Sequence, residues 1–456
     1  MAKIAFLIYN KTEKNNKRGR KETASFDGQS NVGAYMIIHA MTKAGFKIDF
    51  CSPDTAKLFD IVLVSLTSPY DVYNLLSVIA RHPDFQPEKR TFQVIIGGFG
   101  VINIISLRNY IDFAFFGRVE NEIAADVKEI LANKDIVRPY VMSLKHGIHE
   151  VKLNQSQPYP HELEIRPNNF KEKHIGCPRK CLFCQYTFSR KWTGKESDFF
   201  EGSMGYNTGG ELIFNQILPA IENNIDCLPK GRMQTAIDGF SERLRMAFNK
   251  RYSNEMIIET LEKLSEVWPG NRLLIHLYMI GSYPTETEED FQEFIRTIQQ
   301  VKPKGKQIVI KMHVSAFRAS PLTPAAYLPV NIHRDWRAIS QTRKLQKWGG
   351  DIYLGENISL AWDMYIESGM SHFKQVLIER ATEESDSLIH TILFSKKLEH
   401  LKKNQQLIAL KHHFDLMPYI REYDVNEKLP TWYLESYIPN KEIRHTAQKL
   451  KRTLWI

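Results

Sequence analysis

The feature that most constrains this chain is a set of short runs in its first third that are apolar along nearly their whole length. Lys3–Tyr9, Ile61–Ser65, Phe92–Gly98 and Asp112–Gly117 have strand length, and Phe46–Cys51 begins another. Helical spacing lies between them. Residues 31–44 place Val32, Tyr35, Met36, Ile38, His39 and Met41 at helical intervals and close at Gly45, and 72–81 and 121–131 behave alike. Strands that are apolar on both sides are buried on both sides, and their alternation with helices predicts a parallel sheet with helices on each face. Residues 1–133 are therefore expected to form a doubly wound α/β domain whose ligand crevice lies at the C-terminal strand ends.

Residues 134–170 are polar, proline-bearing and poorly periodic, which predicts a linker. From Lys171 the β/α pattern returns, with strands expected at 233–237, 272–280 and 307–313 and helices at 254–268 and 287–300. This predicts a full or partial β/α barrel over 171–330. Residues 331–456 read as mainly helical, at 335–348, 371–381 and 385–402, before a mixed aromatic and basic tail.

The chain has 456 residues, 43% of them hydrophobic, ample for more than one core. No run of about 18 uncharged apolar residues occurs, and Met1 leads straight into a strand pattern; a cytoplasmic protein without a membrane partner is expected. A net charge of +9 favours anionic partners such as nucleic acid, phosphorylated metabolites or nucleotide-like cofactors. Five cysteines are too few for a disulfide scaffold. Three of them crowd into one loop, which points to metal or cluster ligation.

That loop reads Gly176-Cys177-Pro-Arg-Lys-Cys181-Leu-Phe-Cys184, a C-x3-C-x2-C spacing. Three thiolates so close can bind three irons of a cubane and leave the fourth iron open to a small molecule. The alternative is a zinc site with His174 as fourth ligand, in a protein that binds nucleic acid through its basic tail. The spacing, with Phe183 just before the last cysteine, resembles the radical S-adenosylmethionine (SAM) superfamily. The resemblance implies that Cys177, Cys181 and Cys184 hold a 4Fe–4S cluster whose open iron chelates SAM. Reductive cleavage would then give a 5′-deoxyadenosyl radical, with electrons from an external donor such as flavodoxin or ferredoxin.

Further stretches are similar to the same superfamily in the same order. Gly209, Gly210 and Glu211 look like the segment that binds the SAM amino group, although they equally suit a helix start. Asp238 and Ser241 would meet the ribose, and Arg243 or Arg245 the carboxylate, or these charges line a solvated helix face. Met279 to Asp290 resembles the fifth barrel strand and the turn into its acidic helix.

The first domain resembles the cobalamin-binding domain that precedes the barrel in one branch of the superfamily. Gly33-Ala-Tyr35, Ser65, Thr67, Gly97, Gly98, Gly117 and Glu120 carry that likeness, which implies a corrin site at those residues. An Asp-x-His-x-x-Gly motif is absent, so the resemblance implies a corrin without a histidine ligand, and Arg118 interrupts the usual acidic segment. With only Cys51 and Cys227 besides the triplet, members that carry extra cysteine triplets, the methylthiotransferase type, fit poorly. The branch implies methyl transfer from methylcobalamin to an unactivated carbon, or else radical rearrangement, cyclisation or oxidation without methyl transfer. Tyr186, Arg190 and Trp192 are expected on the substrate side.

Overall fold

The structure is a computed structural model, and it describes residues 2–9, 14–15, 21–22, 32–132, 135–165, 168–195, 214–223, 228, 231–332, 351–355, 357–362 and 369–455. The first sheet contains β1 (Ile4–Leu7), β2 (Ile48–Cys51), β3 (Ile61–Ser65), β4 (Gln93–Gly97), β5 (Phe113–Phe115) and β6 (Val141–Ser143), in the order β2-β1-β3-β4-β5-β6. All neighbours are parallel except β6, which runs antiparallel to β5. Helices α1 (Val32–Lys43), α2 (Tyr70–Ile79) and α3 (Ile123–Leu131) cover the two faces. Ile4, Phe6, Ile61, Leu63 and Ile95 pack toward α1 and α3, while Ala5, Val62, Val64, Val94 and Ile96 pack toward α2. This is the doubly wound arrangement expected from the apolar runs. β6 was not foreseen, because three residues inside a proline-bearing polar stretch carry no periodic signal.

After α4 (Gln185–Ser189) and α5 (Ile217–Asn223), a second sheet is built from β7 (Met233–Ala236), β8 (Arg272–Gly281), β9 (Gln307–Ala316), β10 (Asp351–Gly355) and β11 (Ile358–Trp362). Its order is β7-β8-β9-β11-β10, parallel apart from the β10–β11 pair. α6 (Glu242–Ala247), α7 (Asn254–Val267) and α8 (Glu288–Gln300) alternate with the strands in the β/α order of a partial barrel. One face of the sheet forms a core with α5, α7 and α8 through Met233, Ile275, Leu277, Ile310, Met312, Ile217, Leu261, Leu264 and Ile298.

The C-terminal part is mainly helical, with α9 (Met370–Glu379), α10 (Asp386–Phe394) and α11 (Asn440–Leu454). The helix expected at 385–402 breaks at Ser395, whose side chain caps a new turn at the Leu398 amide. Much of this region packs on the α2 side of the first sheet. Asn103 Nδ2 donates to the Ala381 carbonyl at 2.9 Å, and Tyr433 Oη donates to Ile102 O and accepts from Ile104 N. The expected helix at 335–348 lies outside the described residues. Among the described residues no helix is long and apolar enough to cross a membrane.

Candidate functional site

The cysteine loop is fixed at four points. Gly176 has φ +77, and a Cβ there would lie 2.6 Å from the Arg190 carbonyl oxygen, so the loop and the chain leaving α4 touch backbone to backbone. Ile175 N donates to Thr193 Oγ1 at 2.9 Å and closes the loop at its base. Lys180 turns through the left-handed region, and the carbonyls of Arg179 and Lys180 both accept from Asn249 Nδ2 at 3.1 Å. Leu182 donates to the Phe248 carbonyl and accepts from Ala325 N. Phe183 rests on Phe248, which stacks on Tyr283 at 4.4 Å.

Cys181 is buried, and Cys177 and Cys184 are partly buried. Burial pushes the Cys181 thiol up to about 12, and negative charge on Cys184 or Cys177 adds to that rise while Lys250 opposes it. Burial also raises Cys177, against the Arg179 amide. Thiols that feel one another's charge are a donor set suited to a cationic centre, which releases their protons on binding. Among the described residues no group of three or more His, Cys, Asp or Glu side chains is placed to hold a single metal ion. A cubane spreads its thiolates over three separate irons, a wider triangle than one ion needs. His174 is buried with its ring edge-on to Trp192, 4.6 Å between centroids.

Beside Cys181 lies an ion pair between Asp238, expected at the SAM ribose, and Lys250, which sequence reasoning did not single out. Asp238, at φ +51, pairs with Lys250, and both side chains are largely buried. Burial disfavours the Lys250 ammonium, yet Asp238 and Cys181 outweigh this and hold it charged. The strand-end turn that brings them together leaves no trace in composition; the signal available was two opposite charges flanking α6.

Two other expected SAM contacts are engaged elsewhere. Ser241 caps α6 and donates from Oγ to Asp290 Oδ1 at 2.5 Å, and Arg243 donates to Asp290 Oδ2 at 2.6 Å. Asp290 also accepts from the Thr287 amide at the start of α8, so the three residues tie α6 to α8. Arg245 is fully buried and donates to the carbonyls of Gly239, Phe240 and Tyr252 and to Asn254 Oδ1; burial lowers it to about 10 despite nearby glutamates. It braces the backbone that carries Asp238 and Lys250. Gly209, Gly210 and Glu211 lie outside the described residues.

The six residues expected around the corrin converge on one cavity of about 290 Å³ at the C-terminal edge of the first sheet: Ser65, Thr67, Gly97, Gly98, Gly117 and Glu120 all line it. Two of the glycines are required by the backbone. Gly98, at φ +106, would put a Cβ 2.4 Å from Leu66 O, and Gly117, at φ +86, one 2.4 Å from Asn154 O. Thr67 Oγ1 donates to Asp71 at 2.7 Å, which turns its polar end to α2. Arg118 lines the cavity too, held by Glu120 at 3.2 Å and by both oxygens of Glu172 at 2.5 and 2.7 Å. Its charge is thereby neutralised by two carboxylates where it lines the cavity. Tyr186, within α4, and Arg190, at its C-terminal end, also line the cavity. The Arg190 guanidinium lies over the rings of Phe99 and Tyr186 at 4.9 and 5.0 Å. Gln185 reaches the Phe99 carbonyl at 3.4 Å. The cysteine loop and the cavity thus share one wall.

No protein-family model matches the chain. A curated tRNA-2-methylthio-N(6)-dimethylallyladenosine synthase from Bifidobacterium adolescentis is 23% identical over 179 residues, 28% of this chain and 36% of that protein. The chain thus matches about a third of the length of that relative. Among solved structures, a radical SAM methyltransferase, TsrM, from Kitasatospora setae, with cobalamin and a 4Fe–4S cluster bound, aligns with 99% of each chain at 12% identity and TM-score 0.36. The cobalamin-dependent SAM radical enzyme OxsB, with aqua-cobalamin bound, aligns with 90% of this chain and 70% of its own at 9% identity and TM-score 0.43.

Proposed function

We propose that this protein is a cobalamin-dependent radical SAM enzyme that transfers a methyl group to an unactivated carbon, in a reducing, cytoplasmic compartment and with an external electron donor. The observation that carries the reading is the shared wall: α4 starts at the last cysteine, and Tyr186 and Arg190 beside it line the glycine-edged cavity. Cys177, Cys181 and Cys184 would hold the 4Fe–4S cluster, and Ser65, Gly97, Gly98, Gly117 and Glu120 would border the corrin. When bound, the cluster and SAM would supply radical hydrogen abstraction and the corrin would supply the methyl group.

The chain's own residues then have distinct tasks. Burial of Cys181 keeps water from a thiolate that an oxidant would otherwise reach. Lys250 favours the thiolate form of Cys181, and Asp238 keeps Lys250 charged and oriented. Phe183, Phe248 and Tyr283 pack their rings beneath the loop. Arg190, held over Phe99 and Tyr186, would set a cation at the wall between the cysteine loop and the cavity.

The test is anaerobic reconstitution with iron, sulfide and hydroxocobalamin, followed by SAM and dithionite. 5′-Deoxyadenosine is expected from the intact chain and is expected to vanish in Cys181→Ala. Intact SAM in both would refute the radical chemistry, and deoxyadenosine without retained corrin would refute methyl transfer while leaving the other radical reactions.

A further inference from the structure

The outer rim of the cysteine loop carries charge that the site described above does not use. From Cys177 to Cys184, and again from Arg243 to Ser253, the chain has no Asp or Glu. Several of the cations there are engaged: Arg243 by Asp290, Arg245 by backbone carbonyls, and Lys250 by Asp238 beside Cys181. Lys180 and Arg251 are not. Both are exposed, and neither has a carboxylate partner among the described residues.

The two lie far apart in sequence, and Asn249 joins them. Its Nδ2 donates to the carbonyls of Arg179 and Lys180 at 3.1 Å, and its Oδ1 accepts from Arg251 Nε at 3.2 Å. Lys180 at φ +51 and Asn249 at φ +62 are both left-handed, so one defined turn sits on another. Along the second turn Lys250 reaches in to Asp238, Arg251 stays exposed and Tyr252 is buried again. Pro178 is exposed beside Cys177, and Met246, whose carbonyl accepts from the Asn249 amide, is 41% exposed. The carboxylates next along the chain do not offset the pair. Glu242 accepts from Asn254 N at 2.8 Å, and Glu255, at the start of α7, forms no ion pair with either cation.

Two exposed cations without counter-charges set up a local positive field that draws an acidic surface and turns away a basic one. The field has a particular address. Lys180 directly precedes Cys181, and Arg251 directly follows the lysine that favours the Cys181 thiolate. A protein seated here has only the thickness of the loop between itself and the cysteines. Two cations with a proline and a methionine, and no exposed aromatic ring for a base to stack on, suit a small transient protein contact better than a nucleic acid.

We propose that Lys180 and Arg251, with Pro178 and Met246, form the docking surface for the electron donor, a small acidic protein of flavodoxin type. One electron leaves the donor's reduced flavin and enters the cluster, and no bond is made or broken on this chain. That the electron reaches a cluster rests on the function proposed above; the docking of an acidic protein at these residues does not.

The test is titration of a flavodoxin into the reconstituted full-length protein at low and at raised salt. Binding is expected to weaken about tenfold or more between about 50 and 500 mM salt. Lys180→Asp, which tolerates the left-handed backbone, combined with Arg251→Glu is expected to cost about tenfold or more at low salt. Arg251→Glu alone, outside the loop, is expected to cost about threefold. Lys449→Glu with Arg452→Glu, exposed on α11 where it packs against α6, controls for net charge and is expected to cost less than about twofold. No binding to the intact chain, binding that salt leaves unchanged, or equal losses in the two double variants would overturn the proposal. Deoxyadenosine formation on the same preparations separates the two ideas. Reduced flavodoxin should drive it about threefold more slowly in Arg251→Glu than in the parent, while dithionite, which needs no docking surface, drives both alike. If dithionite gives none but flavodoxin binding depends on Lys180 and Arg251, the reaction assignment falls and the surface stands; if dithionite succeeds and binding ignores both residues, the surface falls alone.

Discussion

The two sheets bury their strands in different ways. β3 is buried at its first four positions and β1 throughout, whereas β8 alternates buried and accessible residues along its length. A strand covered on both faces has only its end to offer a ligand, and in the first sheet the cavity sits at the strand ends, edged by glycines that let backbone meet backbone. A strand covered on one face can present side chains from its middle, and the second sheet presents an imidazole pair, a phenol and a lysine there. The first sheet therefore offers backbone shape at its edge, and the second offers side chains along its strands. Substitutions divide accordingly.

The largest effect is expected at the loop between the sheets. Cys181→Ala removes the buried member of the donor set, so bound iron and deoxyadenosine formation should fall to background, as read by iron analysis and chromatography. Retained iron with full turnover would place the cluster elsewhere. Next comes Arg245→Met, which strips the donor from three carbonyls in the fully buried brace. A loss of about 3–5 kcal/mol is expected in denaturant unfolding, and a neutral result would mean that α6 needs no such tie.

Glycines sharpen the contrast between the sheets. Gly98→Ala demands a positive φ and a Cβ 2.4 Å from Leu66 O, whereas Gly97→Ala meets nothing nearer than 4.0 Å. The first should cost about 2–3 kcal/mol and release corrin, and the second should be tolerated; equal behaviour would refute a shape-dependent edge. The smallest effect concerns Asp290. Burial opposes its ionisation, but Ser241, the Thr287 amide and Arg243 outweigh this and hold its carboxyl below the usual range. A depressed folded pKa gives stability that is present above the unfolded value of about 3.9 and lost as pH falls through the folded one. Asp290→Asn should cost about 1.5 kcal/mol at neutral pH and flatten the acid limb of the stability profile below about pH 4.

Much of this organisation was legible in the chain. Ile61–Ser65 could be placed to the residue because a run that is apolar at almost every position has no other soluble fate beside amphipathic helices. The six cavity residues were named from the likeness to a cobalamin-binding domain, and all of them line the cavity. Partners distant in sequence were not legible. Asp290, 49 residues after Ser241, takes up both Ser241 and Arg243, and nothing local announces it. The Asp238–Lys250 pair depends on a left-handed turn at a residue that seldom adopts one. The histidine pair required the register of β8 against β9, since His276 and His313 are 37 residues apart.

In the proposed enzyme one chain holds a cluster beside the N-terminal end of α4 and a corrin in the cavity that α4 helps to line. The most direct measurement is the iron, sulfide, zinc and corrin content of a single gel-filtered sample after anaerobic reconstitution. Iron and sulfide in equal amounts, with stoichiometric corrin that is lost in Gly98→Ala while the iron stays, is the expected result. Zinc in place of iron, or corrin that washes away from the intact chain, would contradict it.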